Sequence, residues 1–210
     1  MKEYTIQEAI VKGNLEMAIS QTNEALADGL KAKEIIDNHL VKGMEEIGDK
    51  FQSGKAFVPN LLLAARAMKG SLEIIKPLLK QDADDSLKAT IIIGTVEGDL
   101  HDIGKNLVAS MLEGCGFNVV NIGVNVSKEK FVTAIKEHNA SIVCMSALLT
   151  TTMTYMKQVV EEIKNAGLRD QVKIMVGGAP LSETFANEIG ADGFSENANS
   201  AVMLARNLVA

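Results

Sequence analysis

At 210 residues the chain is long for one small domain and comfortable for two. A formal net charge of -6 and an aromatic content of only 4% argue against a nucleic-acid surface, which needs basic patches and stacking platforms. No apolar run nears the length that spans a bilayer, and Met1-Lys2-Glu3-Tyr4 leads straight into a polar amphipathic pattern instead of a secretory signal, so the expectation is a soluble cytoplasmic protein that binds neither membrane nor nucleic acid.

Through residue 80 the hydrophobic period is helical. Thr5-Ile6-Gln7-Glu8 has the form of a capping box opening a first helix. Gly13-Asn14 closes it and caps a second helix that runs to about Asp28, where Gly29 ends it. Ile35, Ile36, Leu40, Met44 and Ile47 then follow helical spacing, and Gly54 with Pro59 punctuates the start of a fourth helix reaching about Leu79. The pattern predicts a four-helix bundle over residues 1–80. Gln81-Asp82-Ala83-Asp84-Asp85-Ser86 is charged and poor in apolar residues, which marks a linker over 81–88.

From residue 89 short β-rich runs alternate with helices. Strands are predicted near Ala89–Thr95, Asn118–Ile122, Ser141–Ser146 and Val172–Val176, with a short fifth near Gly193. A βα repeat of this kind closes as a parallel, doubly wound sheet, so the fold class is α/β, with a five-stranded flavodoxin-like domain over 89–210. Two cysteines, Cys115 and Cys144, supply neither a disulfide framework nor metal-ligand spacing.

The chemistry concentrates in Asp99-Leu100-His101-Asp102-Ile103-Gly104, which follows the first strand. Open α/β sheets bind ligands just beyond the carboxyl ends of central strands. Asp99 can accept the proton of one ring nitrogen of His101, fix the tautomer, and leave the other nitrogen for a metal. Gly104 is expected to let the loop turn tightly and a large flat ligand approach the backbone. By itself the hexapeptide would occur by chance in about one chain in 70 of this length. Two later signals add to it: Ser146-Ala147-Leu148 ends the third strand, and Gly177-Gly178 ends the fourth.

In order and spacing, D-x-H-x-x-G, then S-x-L, then G-G resembles the signature of the cobalamin-binding domain shared by methionine synthase, corrinoid methyl-carrier proteins and some mutases. The resemblance covers nearly the whole chain, with residues 1–80 as a helical cap domain, and is nearest to the small corrinoid proteins of methylamine, methanol and methoxy-compound methyltransferase systems. It implies a corrinoid cofactor, cobalamin or a relative, with His101 as the lower cobalt ligand in place of the cofactor's own base. Asp99 would be its hydrogen-bond partner, and Thr152 falls where methionine synthases carry a serine that extends the relay. Threonine keeps the hydroxyl and adds a methyl group. Ser146, Leu148, Gly177 and Gly178 would line the channel for the displaced nucleotide tail, with Asp102, Ile103, Gly104 and Thr150 also at the cofactor.

Gly54-Lys55-Ala56-Phe57-Val58-Pro59 resembles the segment by which the helical domain of methionine synthase presents an aromatic ring over the upper face of the corrin. Two readings of Phe57 stand side by side: that cap, or an aromatic at a helix start packed into the bundle core. The function implied is a carrier without catalytic residues of its own. It accepts a methyl group on Co(I) from a substrate-specific methyltransferase and presents methyl-Co(III) to a second methyltransferase acting on tetrahydrofolate or a thiol, with a reductive activation protein as a further partner.

A mutase small subunit shares the signature but has no use for a helical cap, and a cobalamin-dependent sensor usually adds an output module, of which no basic helix-turn-helix remains here. A flavin or nucleotide protein is the alternative outside cobalamin chemistry, and Gly94-Thr95-Val96-Glu97-Gly98 is neither G-x-G-x-x-G nor a P-loop. His39 reads as a partly exposed helix residue, His138 as part of a Lys136-Glu137-His138 surface patch, Asp84 and Asp85 as linker charges, and most of the ten methionines as core filler.

Overall fold

A computed structural model describes residues 4–79 and 89–209 of the chain; the expected linker at 81–88 lies outside the described residues. Contacts divide the chain into two compact units, a helical one that includes Glu113–Gly116 and an α/β one holding the remainder from residue 89 on.

The helical unit contains α1 (Ile6–Val11), α2 (Leu15–Ala27), α3 (Ala32–Ile35) and α5 (Val58–Leu79), with α3 running through a π-helical stretch, Ile36–Leu40, directly into α4 (Val41–Gln52). Four helical rods result. Their apolar faces, including Ile6, Ile10, Ile35, Leu40, Leu61, Met68, Leu72 and Ile75, are buried together. Gly43 permits the close crossing of α1 and α4, since a Cβ there would lie 2.7 Å from the Cβ of Ile10. Asn14 caps α2, its side chain accepting the Met17 N–H at 3.0 Å. The capping box expected at Thr5 does not form. The Thr5 side chain makes no cap bond, the Thr5 N–H donates to Gln21 Oε1 on α2 at 3.2 Å, and Glu8 pairs with Lys12 instead. A tertiary acceptor has replaced the local one.

The α/β unit is a five-stranded, all-parallel sheet in the order β2-β1-β3-β4-β5. The strands are β1 (Thr90–Val96), β2 (Asn118–Val126), β3 (Ile142–Ser146), β4 (Lys173–Gly177) and β5 (Gly193–Ser195), interleaved with α6 (Ile103–Gly114), α7 (Lys128–His138), α8 (Thr150–Met153), α9 (Tyr155–Asn165), α10 (Glu183–Ile189) and α11 (Ala198–Val209). This is the doubly wound, flavodoxin-like order. Helices cover both faces, which is why Ile91, Ile92 and Ile93 of β1 are all buried and the strand reads as a continuous apolar run. Because β2 lies on one side of β1 and β3 on the other, the chain diverges at the carboxyl ends of β1 and β3 and opens a crevice there.

One strand is longer than its sequence suggests. β2 continues past Ile122 to Val126 because its pairing with β1 slips between Ile93 and Gly94 and again between Gly94 and Val96. Each slip admits an extra residue into β2. Gly123 (φ 94°) and Asn125 (φ 52°) take left-handed conformations there, so residues that look like turn signals lie inside the strand.

No helix among the described residues is long and apolar enough to cross a membrane. Cys115 and Cys144 are both buried, and burial pushes the Cys144 thiol up to about 12.

The two helix starts make a direct comparison. Asn14→Ala should cost about 1 kcal/mol in denaturant unfolding, since it removes a formed cap. Thr5→Ala should cost less than about 0.5 kcal/mol, because no cap bond is lost. Equal losses in the two variants would contradict the capping geometry.

Candidate functional site

Across the carboxyl end of the sheet, Thr95, Ser146, Gly177 and Ser195 stand in register on β1, β3, β4 and β5. Beyond Thr95 the chain turns at Gly98, φ 81°, and brings Asp99 into the interior. Asp99 is fully buried and accepts four hydrogen bonds. Its Oδ1 takes the His101 N–H at 3.0 Å and His101 Nδ1–H at 2.8 Å; its Oδ2 takes the Leu148 N–H at 2.8 Å and the Thr152 hydroxyl at 2.7 Å. Burial alone would raise its pKa, but the backbone N–H groups of Leu148 and His101, with the Thr152 hydroxyl and the imidazole, hold the carboxyl well below the usual carboxylate range. Asp99 is therefore an anion that only accepts.

That fixes the imidazole. With Nδ1 donating to the carboxylate, the neutral ring keeps its lone pair on Nε2, which has no hydrogen-bond partner among the described residues. The ring is 53% exposed, and its backbone is held from below by the buried Thr95 hydroxyl, which donates to the His101 carbonyl at 2.8 Å. The loops after β1 and β3 also expose apolar side chains. Leu100 is 73% and Ile103 86% exposed, with Leu148 and Leu149 also exposed.

These residues suit a metal that brings its own ring. Among the described residues no group of three or more His, Cys, Asp or Glu side chains could hold an ion. One oriented imidazole nitrogen, in loops that also expose leucine and isoleucine, instead fits a corrinoid, which would bring most of its metal's ligands itself and need only one from the chain.

Gly104 departs from expectation. It sits in the first turn of α6, outside the turn proper, and the tight-turn role belongs to Gly98. A Cβ at Gly104 would meet nothing within 4 Å, so the surface there is open. At Gly178 (φ 142°) a Cβ would run into the carbonyl oxygen of Ala147, and at Gly177 it would lie 3.2 Å from the Ser195 carbonyl oxygen. The Gly-Gly pair thus lets the end of β4 approach its neighbours closely.

The structure brings Asp99, His101, Leu148 and Thr152 into one bonded group, with Ser146, Gly177 and Gly178 along the adjoining strand ends. Asp102 and Thr150 are outside that group: Asp102 is exposed and accepts from Asn106 Nδ2 at 3.0 Å, and Thr150 is exposed at the start of α8. Phe57 belongs to the helical unit. Its N–H donates to Asn60 Oδ1 at 2.9 Å at the start of α5, and its ring is 68% exposed, which rules out the core-packed reading. His39 lies in the π-helical stretch of the helical unit and His138 is the last residue of α7; neither is in the bonded group at Asp99.

Three residues escaped the sequence reading. Thr95 is a buried hydroxyl at a strand end, in register with Ser146, and that register was a usable signal. Lys105 is buried on α6, donating to Asn106 Oδ1 at 2.6 Å and Asn121 Oδ1 at 2.8 Å, with its pKa lowered by burial and partly restored by Asp102. Asn125 gives no sequence signal for a role at the site, because its contacts depend on the slipped register of β2.

Residues 89–203 match the B12 binding domain family, and residues 4–76 match a second family of the same description. The chain is 46% identical over 93% of its length, and 91% of the relative's, to the trimethylamine corrinoid protein of Methanosarcina barkeri. A cobalamin-binding protein from Desulfitobacterium hafniense has a similar structure, with a TM-score of 0.84 and 32% identity over 98% of each chain. The methanol:cobalamin methyltransferase complex of Methanosarcina barkeri matches with a TM-score of 0.77 and 29% identity over 98% of this chain and 78% of that one. With both halves matched and close relatives along nearly its full length, the chain belongs to the B12-binding corrinoid proteins, and its cofactor is a corrinoid.

Proposed function

We propose that this protein is a corrinoid methyl carrier whose cofactor is held through His101 Nε2 as lower axial ligand. The observation that carries the reading is the imidazole locked by a buried carboxylate amid exposed apolar side chains. When bound, the corrinoid supplies the metal centre that takes up and gives off the methyl group. The chain's own residues bind, orient and tune it. Asp99 keeps the proton on Nδ1 and the lone pair on Nε2, so the nitrogen offered to the cofactor would be the unprotonated one. Leu100, Ile103 and Leu148 would give the ring an apolar bed, and Ser146, Gly177 and Gly178 would leave room for the nucleotide tail. Phe57, exposed at the start of α5, has the form an upper-face cap requires.

Two enzymes complete the cycle. A substrate-specific methyltransferase delivers the methyl group, and a second one passes it to tetrahydrofolate or a thiol, with a reductive activation protein restoring the carrier in the cytoplasm. A relative named for trimethylamine favours an amine as donor, and a neighbour solved as a methanol:cobalamin methyltransferase complex supports direct association with the delivering enzyme.

The ligand is tested by electron paramagnetic resonance of the Co(II) holoprotein. Wild type labelled with 15N-histidine should show altered nitrogen hyperfine splitting, and His101→Ala should show none from a protein imidazole. Persistence of that splitting in His101→Ala would sink the assignment.

Asp99→Asn tests the lock. The amide must point an N–H2 at one of the two donor pairs, leaving a backbone N–H buried without an acceptor, so unfolding stability near neutral pH should fall by about 1–3 kcal/mol. The sign with pH follows from the depressed carboxyl. Its contribution is complete above the ordinary aspartate value of about 3.9 and is lost as pH falls below it, because the unfolded chain takes up the proton first. The gap between wild type and Asp99→Asn in urea unfolding should therefore be flat at neutral pH and narrow on acidification. A gap that widened in acid would show that Asp99 is not the anion described.

A further inference from the structure

We infer that Asn125 is a positioning residue for the histidine loop, a clamp on the neighbouring strand that holds the backbone on both sides of the Gly98–Asp99 peptide and so sets the aim of His101. Three observations support it independently of the motif. The first is conformation: Asn125 is one of only two non-glycine residues with positive φ among those described, at 52°. Such a backbone state costs energy and persists where surrounding contacts require it, often at ligand clamps. Asparagine tolerates it better than any branched residue.

The second is bonding. The Asn125 side-chain oxygen accepts the Gly98 N–H at 2.8 Å, and the Asn125 N–H donates to the Asp99 carbonyl at 3.0 Å. One residue therefore grips the donor before Asp99 and the acceptor after it. The third is register. The second slip between β1 and β2 lies between the Gly94–Gly123 and Val96–Val126 pairs, and without it Asn125 would present its other face to β1. A few residues on, the Tyr155 hydroxyl donates to Glu97 Oε2 at 2.7 Å and accepts the Lys128 N–H at 3.2 Å. The same strand end is thus tied to the loop at a second point.

Asn125 is exposed, so water can replace the lost acceptor and overall stability should change little when the side chain is removed. What is lost is direction. Gly98 and Asp99 would gain freedom, Asp99 would sample positions that meet Nδ1 poorly, and the ring would divide between its two tautomers. Asn125→Gly keeps the left-handed backbone and the Asp99 carbonyl bond while deleting the side-chain acceptor. Asn125→Asp keeps the acceptor.

The decisive experiment uses the full-length apoprotein, whose imidazole tautomer is read by long-range 15N–1H correlation above the pH at which the ring is charged. Wild type and Asn125→Asp should show the Nδ1–H form, and Asn125→Gly a mixture. In Co(II) holoprotein the ratio of imidazole-bound to imidazole-free cofactor should then fall about three- to tenfold in Asn125→Gly, the scale of one hydrogen bond, and recover in Asn125→Asp. The holoprotein arm rests on His101 ligation, which His101→Ala tests separately, whereas the apoprotein arm does not. An unchanged tautomer in Asn125→Gly, or a change that Asn125→Asp fails to restore, would overturn the clamp.

Discussion

The site depends on one buried anion. A carboxylate removed from water carries a desolvation cost of several kcal/mol, and Asp99 offsets it with four donors drawn from separate pieces of chain. Two come from His101 in its own loop, one from the backbone of Leu148 after β3, and one from Thr152 in α8. The loops after β1 and β3 are the two lips of the crevice at the point where the strand order diverges. A single side chain therefore fastens both lips and orients the imidazole between them. A change that moves one loop away leaves a buried charge short of a partner and loosens its hold on the imidazole.

Beside this charged point the same two loops expose apolar side chains, Leu100 and Ile103 after β1 and Leu148 and Leu149 after β3, next to a half-exposed histidine. Fully covering one such side chain contributes roughly 1.5–3 kcal/mol. An apolar ligand laid across them would draw most of its affinity from that burial, which would leave the imidazole free to be tuned.

The parts of the molecule legible in sequence are those whose cause is local. The run at Ile91–Ile93, the cap at Asn14 and the spacing from Asp99 to His101 each announce themselves within a few residues. What escaped is set by partners distant in the chain. Thr5 has every mark of a capping residue, yet Gln21 supplies the acceptor. Gly123 and Asn125 have every mark of a turn, yet pairing with β1 keeps them in a strand. Gly104 looked like the turn glycine because it closes the motif, whereas the chain reverses at Gly98. Phe57 was ambiguous because a helix-start aromatic can face either way until its exposure is known.

Thr152 shows how one hydroxyl can serve a buried carboxylate in either charge state. Its hydroxyl has one hydrogen and two acceptors in reach, Asp99 Oδ2 at 2.7 Å and the Leu149 carbonyl at 3.0 Å. An ionised Asp99 takes that hydrogen, being the stronger acceptor. If Asp99 were protonated, the hydroxyl could turn to Leu149 and accept the acid's proton, so both charge states of the carboxyl have a partner without movement of the backbone. The methyl group fits without crowding: even a Cβ at Gly98 would stand at ordinary contact distance, 3.5 Å, from Thr152 Cγ2. A β-branched side chain loses most of its freedom about the first torsion, so the methyl limits the hydroxyl to the few positions from which it can serve Asp99.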